Sequence, residues 1–181
     1  MMKASHIFLR PNIERSDASA IVRWLNDRDV TKYLHEDRHT AQAVEQALER
    51  CPLPTLTHLF HQNGALFMIN HLNSPPVGFL RLEKRGSTAE LVIVIGEKRQ
   101  WGRGIGTAAA ALALEHAFFT WRMERVVSNI HPQNTRSVRA FKALGFEPVQ
   151  EQPGCLKLEL TLRQYLDRLN EDKIQQSVIG E

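Results

Sequence analysis

From Arg99 to Thr107 the chain reads Arg-Gln-Trp-Gly-Arg-Gly-Ile-Gly-Thr, three glycines at alternate positions between an apolar run and a helix-forming stretch. Glycine supplies positive φ and lets the main chain approach a ligand closely, while the first turn of a helix offers unpaired N–H groups and a partial positive charge. Together these features favour phosphate. Lys98, Arg99 and Arg103 add positive charge, so a pyrophosphate is the natural guest. A Walker loop is excluded because no Gly-Lys-Ser/Thr follows. Gly104, Gly106 and Ala109 formally satisfy the dinucleotide pattern GxGxxG/A, but Ser128 and Asn129 stand where that fold needs a ribose-binding acid. Cys51 and Cys155 lack CxxC spacing and no Cys/His cluster has zinc-finger geometry, so no metal is expected.

The elements that must position this loop follow from periodicity. An extended segment over 6–13 precedes a helix over 16–26, capped by Ser16 or Asp17, with Ala18, Ile21, Val22 and Leu25 at helical spacing. Residues 27–40 are polar, a loop signal, and a short helix is expected over 40–50. Strands are expected over 65–72, 77–84 and 89–97, the last two joined by the hairpin residues Arg85, Gly86 and Ser87. The apolar run Leu91 to Ile95 predicts a central strand covered on both faces. Helix over 107–121, strand over 125–130, helix over 134–144 stopped by Gly145, and an alternating strand from Leu156 to Leu162 complete the pattern. These elements form one domain over residues 6–162, followed by a C-terminal helix and tail over 163–181.

At 181 residues, 43% hydrophobic and 24% charged, the composition is that of a globular domain large enough to fold without disulfides. No apolar run approaches the roughly 18 residues of a membrane span, and the N-terminus lacks the build of a signal peptide. A reducing, cytoplasmic setting is expected. The 23 basic and 20 acidic residues leave a net charge of +3, too small a surplus to argue for nucleic acid.

Two blocks carry a resemblance. Arg99-Gln100-Trp101-Gly102-Arg103-Gly104 satisfies the fingerprint Gln/Arg-x-x-Gly-x-Gly/Ala, and Asn134-x-x-Ser137-x-x-x-Phe141-Lys142-x-x-Gly145-Phe146 follows about thirty residues later. The chain thereby resembles the GNAT superfamily of acyl-CoA-dependent N-acyltransferases. Trp101 to Thr107 looks like the WGxGxGT variant of the ribosomal-protein N-terminal acetyltransferase group. The resemblance implies an α/β (α+β) fold with a mixed, mostly antiparallel seven-stranded sheet, a splayed central strand and flanking helices. It implies acetyl-CoA as co-substrate and an amine as acceptor, a protein N-terminus or a small molecule, with neither nucleic acid nor membrane as partner and a homodimer left open. The backbone of Val94, Ile95 and Gly96 would pair with the pantetheine arm. Trp101, Gly102, Arg103, Gly104, Ile105, Gly106 and Thr107 would hold the pyrophosphate, and Asn134 would touch the pantetheine.

Acetyl transfer to an amine needs a base for the ammonium and a proton for the leaving thiolate. Glu90, at the start of the central strand, is the first candidate base, with His131 next and Glu97 at the strand's far end. The Ile95 or Gly96 amide is the candidate oxyanion donor. Phe141 stands where many family members have tyrosine, so the usual proton donor is missing and Ser137 is a substitute. Tyr33, Glu36 and Asp37 could line a cationic-amine pocket. A non-catalytic acyl-CoA sensor on the same fold is the competing reading.

Overall fold

The computed structural model describes residues 7–34, 38–62, 64–72 and 74–179. His6, Glu36 and Asp37 lie outside the described residues. Seven strands form one sheet in the order β1-β2-β3-β4-β5-β7-β6, where β1 is Ile7–Arg10, β2 Gly64–His71, β3 Gly78–Arg85, β4 Thr88–Ile95, β5 Arg125–Ile130, β6 Glu147–Gln152 and β7 Cys155–Thr161. Every pairing is antiparallel except β4 with β5. One face carries α5 (Ile105–Glu115), whose Ala109, Ala110, Ala113 and Leu114 pack on Ile69, Leu80, Leu82 and Leu91. On the opposite face, α1 (Arg15–Leu25) lays Ile21, Trp24 and Leu25 over Met68, Phe79 and Val94. The small side chains of α5 let it approach the sheet closely.

The chain enters α1 through Glu14. The Asp17 carboxylate accepts from the Glu14 amide at 2.8 Å and from Arg10 at 2.7 Å, which satisfies a side chain only 2% exposed. The cap is therefore Glu14 in a reciprocal capping box, with Asp17 at the third helical position rather than at the cap. The polar stretch after α1 contains a short helix, α2 (Arg28–Thr31), started by the Asp27 carboxylate on the Asp29 amide. Helices α3 (Arg38–Arg50) and α4 (Thr57–Phe60) follow, α4 being a single turn that composition does not announce.

β4 and β5 are paired only from Thr88↔Arg125 to Glu90↔Val127. Beyond Glu90 the two strands part, while β4 stays paired with β3 as far as Gly78↔Ile95 and β5 stays paired with β7 as far as Ile130↔Leu156. A wedge thus opens in the middle of the sheet. Ile93 and Ile95 border it and are only half-buried, and in the first half Ala89 and Leu91 are buried while Thr88, Glu90 and Val92 on the other face are half-buried, so the expected full cover on both faces is not met. α6 (Thr135–Ala143) connects β5 to the parallel β6, so it runs back along the sheet with its N-terminus at the wedge's open end. The C-terminal α7 (Leu162–Ile179) stacks Tyr165 on Phe118 at 4.9 Å.

Candidate functional site

The wedge widens into a cleft of 770 Å³ bounded by β4, the glycine loop, the first turns of α5 and α6, and the segment after α2. Its size is that of a small-ligand site. Gly102 and Gly104 take φ of +74° and +75°, the left-handed region that glycine enters without strain. Gly104 is the N-cap of α5, which starts at Ile105 rather than Thr107, so the third glycine, Gly106, lies inside the first turn. The first hydrogen bond of the helix is Ala108 to the Gly104 carbonyl at 3.0 Å. The amides of Ile105, Gly106 and Thr107 accordingly have no intrahelical acceptor and stand at the cleft wall.

The main chain of β4 presents alternate groups to the wedge. The Gly96 amide donates to the Val77 carbonyl at 2.9 Å, so the backbone of Gly96 is turned toward the β3 side. Alternation along an antiparallel ladder then turns the N–H and C=O of Val94 toward β3, and those of Ile93 and Ile95 toward the wedge. The Glu124 amide on the Ser87 carbonyl, 2.9 Å away, fits the same parity. Two observations bear on the expected pantetheine contacts. Val94 offers the wedge no backbone groups, its side chain instead packing with Trp24 and Phe79. Gly96 has spent its amide on Val77, and its α-carbon faces the Trp24 indole. Ile95 keeps its amide toward the wedge, but its carbonyl accepts from the Trp101 indole at 2.7 Å.

Trp101 is thus a strut between the loop and β4, and the Arg136 guanidinium lies over its ring at 4.3 Å. Of the basic residues in the loop, Lys98 is committed elsewhere: its ammonium lies 2.9 Å from both Asp27 and Asp29. These pairings hold the Lys98 ammonium above the usual lysine range, and the Lys98 bond holds the Asp27 carboxyl below its own. Arg103 is exposed and does not line the cleft. Cationic lining comes instead from Arg136 and Arg139 on α6. Sequence reasoning missed both because charges on an amphipathic helix read as solvated surface; their three-residue spacing after the Asn134 cap was the available signal.

Asn134 caps α6, accepting from the Ser137 amide at 3.3 Å, and both residues line the cleft with Gly102, Gly104 and Thr107. Glu90 does not. It precedes the wedge, its side chain is 15% exposed, and its oxygens are taken by Arg85 at 2.8 Å and Asn129 at 2.9 Å. A carboxylate so occupied is a bridge between strands rather than a free base. His131 also stands outside the cleft lining. Its Nδ1 accepts from the Gln133 amide at 3.2 Å, which leaves the proton of the neutral ring on Nε2, and its ring lies 5.4 Å from that of Tyr33. Glu97 accepts from Arg23 and from the Trp24 indole at 2.9 and 3.0 Å, pinning α1 to the head of the loop. Phe141 is 5% exposed and packs edge-on against Phe146 at 4.9 Å, a core aromatic whose rim reaches the cleft. Cys155 remains a thiol, 3.8 Å from the Asn129 carbonyl oxygen.

Known proteins share this fold. The chain is 23% identical over 138 residues to the uncharacterized N-acetyltransferase p20 of Bacillus licheniformis, covering 75% of this chain and 76% of that protein. It is 24% identical over 149 residues to the spermidine N(1)-acetyltransferase of Escherichia coli K12, covering 81% and 75%. Among solved structures, the spermidine N-acetyltransferase of Vibrio cholerae in complex with CoA and spermine superposes with a TM-score of 0.74 at 18% identity, over 90% of this chain and 99% of that one. A domain from Methanocaldococcus jannaschii gives 0.69 at 20% identity, over 86% and 98%. Residues 6–147 match the acetyltransferase (GNAT) domain, and the chain belongs to that family of acetyltransferases, which use acetyl-CoA as co-substrate.

Proposed function

We propose that this chain transfers the acetyl group of acetyl-CoA to a primary amine of a small polycation, a polyamine first, by direct attack in a ternary complex. The wedge between β4 and β5, with the N-terminus of α5 at its mouth, carries the reading. Gly102 to Thr107 would receive the pyrophosphate on the free amides of the first helical turn. The backbone of Ile93 and the amide of Ile95 would pair with the amides of the pantetheine arm, as a peptide adds to an exposed strand. The thioester would then lie deep in the wedge.

The acceptor amine must lose a proton before attack, and the thiolate must gain one. Tyr33 and Ser137 bring hydroxyl groups to the cleft, whereas Phe141 brings none. Glu90 and His131 are hydrogen-bonded elsewhere, and the carboxylate that does line the cleft, Asp29, is paired with Lys98, so the proton would leave through solvent. The polyamine choice is supported by the likeness to spermidine acetyltransferases from two organisms.

The test follows thiol release from acetyl-CoA with spermidine, spermine, free-N-terminal peptides and amino sugars. Turnover with the polyamines supports the proposal, and turnover with peptides alone moves the acceptor to protein N-termini. CoA binding without thiol release for any amine would overturn catalysis and leave a sensor.

A further inference from the structure

Helix α6 faces the N-terminus of α5 across the cleft and brings Arg136 and Arg139 to its wall. Among the described residues neither has a carboxylate within ion-pair distance. Several other cations are neutralised: Arg10 by Asp17, Arg85 by Glu83 and Glu90, Lys98 by Asp27 and Asp29. Among the described residues Arg139 donates to the Thr135 carbonyl one turn back, at 3.3 Å. The Arg136 guanidinium carbon lies 4.3 Å from the centroid of the Trp101 ring, which the Ile95 carbonyl fixes in turn. A contact with a ring spends none of the five guanidinium N–H donors on a protein oxygen. Arg136 is therefore a cation placed against a fixed ring, with no carboxylate partner among the described residues, at the rim of the cleft.

Its depth identifies the anion. Because α6 runs back along the sheet from the end of β5, Arg136 stands near the open end of the wedge and Phe141 a turn and a half deeper. A pantetheine arm directed inward from the glycine loop leaves the ribose of CoA directed outward, toward the rim. The helix amides of α5 serve the pyrophosphate, and beyond it CoA carries a single further anionic group, the 3′-phosphate monoester. A planar guanidinium edge matches such a group with paired hydrogen bonds. We propose that Arg136, positioned by Trp101 and assisted by Arg139, holds the 3′-phosphate and makes the protein select CoA over 3′-dephospho-CoA. This rests on the placement of CoA given above.

Calorimetric titration of the full chain with CoA and with 3′-dephospho-CoA tests it without any acceptor. The wild type should bind CoA at least about tenfold more tightly, the scale of a hydrogen bond to a charged group. Arg136→Ala should weaken CoA by that factor and leave 3′-dephospho-CoA within about twofold, collapsing the preference. Arg136→Lys, which keeps the charge and loses the fork, should restore part of it. Equal affinities in the wild type, a preference that survives Arg136→Ala, or equal weakening of both ligands would each overturn the inference while leaving CoA in the cleft. Failure of the wild type to bind either ligand would overturn the placement of CoA itself.

Discussion

Trp24 fills the space that any side chain at position 96 would need: a Cβ on Gly96 would fall 2.1 Å from the indole. The glycine that ends the central strand is there for α1 rather than for a ligand. The next two residues continue the same attachment, Glu97 taking Arg23 and Trp24, and Lys98 taking Asp27 and Asp29. The wall formed by α1 and α2 is thus docked directly on the head of the phosphate loop.

Gly96→Ala should destabilise the fold by about 1–3 kcal/mol, the usual cost of forcing an extra carbon into a packed site. Thermal melting would show a drop of roughly 2–10 °C for a chain of this size. Adding Trp24→Leu should recover part of that loss, because neighbours sharing one clash are not additive. Additive losses in the double variant would mean that the two residues do not compete for space.

Gly104 has a different constraint, its φ of +75°. Any L-residue there carries a strain of about 1–2 kcal/mol. Gly104→Ala should therefore lower the melting temperature and weaken CoA by disturbing the start of α5. Gly104→Glu should abolish CoA binding, since a carboxylate would stand where the phosphate charge must go. Calorimetry returning wild-type affinity for Gly104→Glu would remove the loop from the cofactor site.

The glycine loop, β5 and most of the order of elements were legible because each has a strong local signal, whereas the insertion of β7 between β5 and β6 was not. Glu14 was missed as a cap because a carboxylate one carbon longer than aspartate rarely serves, and Ser16 and Asp17 beside it look better. β6 was missed because its sequence, Glu-Pro-Val-Gln-Glu-Gln, is exposed throughout and has no alternation; the apolar face of β7 beside it supplies the order. Glu90 illustrates a subtler limit. Its place on the central strand was right, but whether a carboxylate is free depends on partners three strands wide, Arg85 on one side and Asn129 on the other. Sequence separation hides such neighbours.

Glu90→Gln should for that reason keep kcat/KM within about threefold with an unchanged pH profile, whereas loss of a base typically costs 10²- to 10⁴-fold. Glutamine still accepts from Asn129 but leaves Arg85 one charge short, so a stability loss of about 1 kcal/mol or less is expected. A hundredfold drop in rate with a lost acidic limb would return Glu90 to catalysis, through a rearrangement that frees it from Arg85.

His116 sets the last expectation. It lies in the π-helical turn His116–Thr120 that ends α5, its ring 5.1 Å from Phe67 and 5.3 Å from Trp121, with the Lys84 ammonium 4.4 Å over the Trp121 ring. Burial among these rings disfavours the charged imidazole, and Lys84 adds repulsion, so its folded pKa lies below the ordinary histidine value. Between the folded pKa and the ordinary value near 6.5, the unfolded chain binds the proton more readily than the folded one. The stability contributed by the neutral ring is then fully present above about pH 6.5 and declines as pH falls through the folded pKa. Melting temperatures taken from pH 8 down to pH 5 should fall more steeply for the wild type than for His116→Phe, which keeps an aromatic ring and cannot be protonated. Parallel curves for the two proteins would place the acid sensitivity on other groups.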